Sequence, residues 1–249
     1  MPLKTASNII SHTIHKRRSL SFNSGQQMQT KIKVWDLPVR IFHWGMIALL
    51  GGLWWTADAG EMEWHQVLAY CLMVFIIFRL VWGVVGSDTA RFSQFIKHPK
   101  TVLGYLKHTK QQGVSASIGH NPLGGYMVVA LIALVTLQLS TGLFSTDEIF
   151  TEGPLYSFVS SEIGASMSWL HKKIFYVMLG FAAVHLLAVI FHGMKGDKLV
   201  RPMLSGYKQV PGKPDVELTF KPLLMALVLL LAVGGVVTNY LIWPIINML

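Results

Sequence analysis

The sequence predicts an all-α fold, an integral membrane helical bundle, and three observations carry that prediction. Hydrophobic residues make up 52% of the 249 positions. Adding the 22 glycines raises the apolar share to roughly 61%, against about 45–50% for a soluble domain counted the same way. Charged residues are 13%, about half the usual share, and the mean hydropathy is +0.48. Finally, five apolar stretches each reach the length of about 20 helical residues that a hydrocarbon core about 30 Å thick requires. A soluble globular enzyme is thereby excluded. The single cysteine, Cys71, lies in an apolar run, so the chain can build neither a disulfide framework nor a cysteine metal cage. Metal or cofactor chemistry then falls to histidine, carboxylate or methionine. The formal charge of +9 is distributed in blocks between the apolar stretches, a membrane-topology pattern and not a nucleic-acid surface.

The elements follow in order. Residues 1–34 hold no acidic residue, are rich in Ser, Thr and basic groups, and read as a disordered cytoplasmic tail. A transit peptide is the competing reading, a cleaved secretory signal is disfavoured by the lack of a long apolar run, and a start at Met28 would remove most of the segment. Residues 35–207 carry four spans: Val39–Ala57, Gln66–Val85, Leu123–Phe144 and Trp169–His192. A linker, 208–221, leads to a fifth span, Pro222–Trp243, within the C-terminal unit 222–249. Trp35, Trp54, Trp55, Trp169 and Trp243 stand near span ends, where amphipathic rings suit the headgroup layer. No repeat of solenoid period is visible.

Orientation comes from the basic residues. Eighteen of the 21 lysines and arginines lie before span one, with Arg40 at its boundary, or in the loops joining spans two to three and four to five. The opposite loops, Asp58–Trp64 and Ser145–Ser168, contain none, and hold seven carboxylates. The positive-inside rule then sets the N-terminus in the cytoplasm and the C-terminus outside, in an inner membrane.

Ionisable residues inside a span are costly, so the histidines are the functional signal. His12, His15, His98 and His108 fall in polar segments and read as solvated. His171 and His185 are fourteen residues apart in span four, on nearly one face and about 21 Å apart along the axis. Span direction places His171 and His65 near the outer surface, and His185 and His43 near the inner one. Two facing imidazoles at one depth are the axial ligands that a haem b needs, so the two pairs predict two haems stacked through the bilayer. Hydrogen-bonded packing histidines are the bland alternative. A zinc site is disfavoured by the depth between the pairs and the lack of nearby cysteine or carboxylate. Arg79 lies fourteen residues after His65, at the depth of the inner pair, where it suits a haem propionate. It would equally suit headgroups reached by snorkelling. His192, seven residues beyond His185, faces the same way and is the substitute ligand, with His185 preferred for its spacing.

Four segments carry a resemblance: PVRIFHW around His43, FRLVWGVVG after His65, IGHNP around His120, and WLHKK to AVHLL around His171 and His185. The chain from Val34 to Tyr207 resembles the bacterial cytochrome b561 family, and within it the branch of nickel-iron hydrogenase cytochrome b subunits. The resemblance implies four core helices and two haems b. It also implies electron transfer between a periplasmic redox partner, a hydrogenase-like enzyme or a c-type cytochrome, and the membrane quinone pool. Carried over, His43, His65, His171 and His185 match the haem ligands. Arg40 and Arg79 match basic motif positions, and the IGHNP run sets His120 beside the inner haem, for a propionate or quinone contact. The basic tail and the fifth span depart from the family pattern and put the partner in doubt, since an extra helix could block or create a docking face. Self-association into a homo-oligomer stays open. Alternatives are a free-standing superoxide:quinone oxidoreductase, a haem-free proton or ion transporter, and a membrane anchor.

Overall fold

Short polar signals open three of the five long helices. In the computed structural model, which describes residues 29–113, 117–149, 151–212 and 216–247, helix α1 is Leu37–Ala59. It opens where Asp36 Oδ1 accepts the Val39 N–H at 2.9 Å, with Pro38 in the first turn. It closes on Gly60 at φ 75°, a left-handed conformation that glycine adopts without a Cβ penalty. The turn is tight, so α2, Met62–Val85, runs back antiparallel beside it.

A one-turn 3-10 helix, Asp88–Ala90, then leads to α3 (Phe92–Phe95) and the polar helix α4 (Pro99–Gln112). Asn121 caps α5, Pro122–Gly142, by accepting the Gly124 N–H at 2.6 Å. Ser160 caps α6, Ser161–Met194. The fourth predicted span therefore begins eight residues earlier than its apolar run, because the capped polar turns before Trp169 continue the same helix. A short α7, Val200–Ser205, follows. The fifth span is one rod: α8 (Leu223–Val237), a π-helical stretch (Thr238–Ile242) and α9 (Trp243–Ile246). Among the described residues five helices are thus long and apolar enough to cross a membrane.

Two segments assigned above to a disordered tail and a linker contribute ordered strand instead. Strand β1, Gln29–Lys33, pairs antiparallel with β2, Tyr207–Pro211, with Gln29 opposite Pro211 and Lys33 opposite Tyr207. The reason is local: Lys31 lies over the Tyr207 ring, and Val34 and Trp35 both donate backbone N–H to the Gly206 carbonyl. The rest of the tail, residues 1–28, lies outside the described residues.

The bundle is two helical hairpins plus one helix. α1 packs on α2, α5 packs on α6, and α2 touches α5 on one side and α8 on the other. A central core of Phe42, Leu53, Leu72, Ile76, Val135 and Met178 joins the hairpins. A second cluster, with Trp35, Phe78 and Trp82, closes the end that carries the Lys/Arg-rich loops, called the basic end below. The acidic end carries Asp58, Glu61, Glu63 and the 145–160 loop.

Candidate functional site

At the acidic end α2 and α6 bring His65 and His171 together edge-on, ring centroids 6.5 Å apart and planes at 77°. Each Nδ1 is committed to a helix carbonyl: His65 to Leu53 O at 3.0 Å and His171 to Gln138 O at 2.9 Å. A carbonyl only accepts, so each Nδ1 carries the proton and each Nε2 keeps its lone pair. The Nε2 of His171 uses that lone pair to accept from the Gln138 amide at 3.0 Å. Between the hairpins lies a cavity of about 540 Å³ lined by both histidines and by apolar side chains such as Leu50, Leu72, Val135, Phe175 and Met178. Its mouth carries Asp58, Asp147 and Lys172.

At the basic end His120 lies within electrostatic reach of Arg79, His185 and His43, and His43 within reach of His185. The His43 Nδ1 is buried without a hydrogen-bond partner among the described residues. Arg79 is 2% exposed, which rules out snorkelling to headgroups. Its guanidinium stacks over Phe92 at 4.9 Å, and its buried Nη1 has no partner among the described residues. The nearest carboxylate acting on it is Asp36, whose two oxygens already accept from Val39 N and from Trp82 Nε1.

His120 sits just before α5, wedged between Trp35 and Phe95 with centroids 4.6 and 4.5 Å away. Burial pushes its imidazole down to about 3, and Arg79, His185 and His43 push the same way. It is neutral at physiological pH, and its buried Nδ1 has no partner among the described residues.

Two expected participants are engaged elsewhere. Arg40 donates to the carbonyls of Met203 and Leu204 at the end of α7, clamping that helix to α1. His192 joins a polar cluster, its Nδ1 3.3 Å from Asp197 Oδ2, while Asp197 Oδ1 pairs with Lys208 Nζ at 2.6 Å. Asn121 reaches the other ring nitrogen of His192 at 3.5 Å. That cluster ties α6 to β2, which makes His192 a structural residue here and leaves His185 facing the other basic-end groups.

Sequence reasoning missed the partners of the histidine rings. Leu53 and Gln138 act through their backbones, which no sequence signature marks. Thr56 and Thr141 add hydroxyls 3.3 and 3.2 Å from the same Nδ1 atoms. Gln138, a polar side chain inside a span, was the available signal.

An all-helical membrane bundle with facing imidazoles held between its hairpins is the build of a membrane cytochrome. A family model described as prokaryotic cytochrome b561 matches residues 34–206, and the chain belongs to that family. It is therefore a multi-pass bacterial membrane protein, a b-type cytochrome of electron transfer, and its cofactor is haem b. Comparison with curated proteins and with solved structures returns no match.

The residues present suit that cofactor. Imidazole nitrogens bond such metals at about 2 Å, and a ring centre lies about 1 Å behind its nitrogen, so two rings sharing one iron have centroids about 6 Å apart. His65 and His171 meet that spacing, and each Nε2 carries a lone pair, the one on His171 accepting from the Gln138 amide, which a bound iron would displace. The orphaned Nη1 of Arg79 and Nδ1 of His43 are the kind of buried polar atoms that a bound group satisfies. No group of three or more metal-binding side chains capable of holding a bare ion exists among the described residues.

Proposed function

We propose that the chain holds two haems b, one between His65 and His171 and one between His43 and His185, and passes electrons across an inner membrane between a periplasmic redox partner and the quinone pool. The observation that supports this most is the acidic-end pair: two rings at ligand spacing whose Nδ1 protons are already assigned to carbonyls. The haems supply the one-electron carriers when bound. The chain supplies their axial nitrogens, a dry apolar cavity and local charge.

In this reading the basic loops are cytoplasmic, so the N-terminus is inside and the C-terminus periplasmic. Arg79 offers Nη1 to a propionate at the basic end, and its positive charge favours electron arrival there. His120, kept neutral by burial, offers Nδ1 to a propionate or a quinone oxygen. Arg40, three residues before His43, serves the same end by clamping α1 to the end of α7. A hydrogenase-like enzyme or c-type cytochrome would meet the acidic, lysine-free outer loops.

A pyridine haemochrome assay on purified protein tests the reading. Two haems b per polypeptide are expected, with His43→Ala and His65→Ala each removing about one. A preparation without the reduced-minus-oxidised α band of haem b rejects it.

A further inference from the structure

We infer that Thr56 and Thr141 are a matched pair of positioning residues that hold His65 and His171 as ligands and lower the redox potential of the acidic-end haem. The inference rests on the two-haem reading above.

A threonine inside an apolar helix ordinarily satisfies its hydroxyl by donating back to a carbonyl one turn earlier. Thr136 does only that, to Ile132 O at 2.8 Å. Thr56 and Thr141 do more. Both are buried, at 1% and 3% exposure, and both place the hydroxyl oxygen against an imidazole. The construction occurs twice with the same spacing. On α1 the carbonyl of Leu53 and the hydroxyl three residues on, Thr56, bracket His65 Nδ1 of α2. On α5 the carbonyl of Gln138 and the hydroxyl three residues on, Thr141, bracket His171 Nδ1 of α6.

Each hydroxyl has a single proton. Thr56 directs it to Gly52 O at 2.9 Å or Leu53 O at 3.1 Å. Thr141 directs it to Gln138 O at 2.9 Å or Leu137 O at 3.0 Å. Toward the ring, therefore, each oxygen is an acceptor, and each Nδ1–H is shared by two acceptors from one helix. Two acceptors fix ring rotation as one does not, which holds the planes at their 77° angle. Acceptors on Nδ1–H also push electron density onto Nε2 and make it a more basic ligand. A more basic axial ligand stabilises ferric over ferrous iron, so the potential falls. The basic end is built the other way, with a buried cation, Arg79. Both differences make transfer from the acidic to the basic end downhill.

The test is potentiometric titration of the full-length, haem-loaded protein in detergent, in a His43→Ala background that leaves only the acidic-end haem. Thr56→Val and Thr141→Val, which keep shape and remove the hydroxyl, are each expected to raise the midpoint by the equivalent of up to a tenfold change in the ferric-to-ferrous ratio, about 59 mV for one electron. Thr56→Ser and Thr141→Ser are expected to keep the parent potential and the parent ferric EPR spectrum. A valine variant that loses the haem while its serine counterpart keeps it also supports the inference, since only the hydroxyl separates them. Loaded valine variants at unchanged or lower potential overturn it, as does failure of valine and serine variants alike to load. Absence of haem from the His43→Ala parent would instead reject the two-haem reading.

Discussion

Asp36 links the start of α1 to the basic-end site, and its removal makes a quantitative prediction. Its Oδ1 accepts Val39 N–H at 2.9 Å and its Oδ2 accepts the indole N–H of Trp82 at 2.9 Å, with Trp82 fully buried. Asp36→Ala removes a helix N-cap, a loss of about 1 kcal/mol. It also strands a buried indole donor, a further loss of about 1–3 kcal/mol. The expected destabilisation is therefore about 2–4 kcal/mol. Loss of the carboxylate acting on Arg79 adds to this in haem-free protein. Unfolding in mixed SDS micelles, followed by tryptophan fluorescence, measures it. A double-mutant cycle isolates the indole bond: in a Trp82→Phe background no donor is left stranded, so Asp36→Ala should cost the cap, about 1 kcal/mol, and the contribution through Arg79, and the difference between the two backgrounds is the indole bond. Equal losses in both backgrounds would refute the reasoning, as would a loss below about 1 kcal/mol in the parent.

Further outcomes follow from the same geometry. Arg79→Leu should lower the potential of the basic-end haem alone in potentiometric titration, because the buried cation favours the reduced form. Gly83→Ala would drive a Cβ into the Phe92 ring, which lies over Arg79, and should destabilise by about 1–3 kcal/mol in the same unfolding assay. Asp197→Ala removes the counter-charge of the buried Lys208 and leaves its ammonium only the Ser117 carbonyl, for a loss of up to about 3–5 kcal/mol that Lys208→Met alone should not reproduce in additive fashion. His120 has its folded value depressed from 6.5 to about 3. The unfolded chain therefore binds the extra proton between those limits, and stability falls as pH drops through that window, by at most about 1.4 kcal/mol per pH unit. His120→Phe should flatten that part of the unfolding profile.

Much of this arrangement was legible in the residues, and the boundary has a physical cause. The five spans are legible because hydrocarbon imposes a length and a polarity on each. The meeting of His65 with His171 is legible because a helical hairpin fixes depth, and fourteen residues bring a helix back to nearly the same face. The ribbon of β1 and β2 was not, because Gln29–Lys33 is short and half polar, and its partner lies nearly 180 residues away. Arg40 could not be assigned its acceptors, since these are carbonyls created by the end of α7. The same holds at the rings: Leu53 O becomes a hydrogen-bond partner only when α1 and α2 have packed.

The fifth span bears on whether a partner can reach the haem-binding core. On α2, His65, Leu72 and Arg79 lie along one face, while Val67, Tyr70 and Val74 lie about half a turn around it. The second face is the one that packs with Val237 and Ile245 of the α8–α9 rod, and no residue of that rod lines the acidic-end cavity. The helix therefore backs α2 and leaves the cavity mouth open. In lipid, apolar burial between helices gains little, because acyl chains solvate leucine as well as a neighbouring helix does; the contact rests on packing alone. The linker residues that brace α2, through Asp88 to Thr219 and Ser87 to Lys221, precede the rod. Truncation after Lys221 should then keep two haems per polypeptide, with a modest loss of resistance to SDS. Loss of haem from either site on truncation would show that the rod shapes the core and does not merely back it.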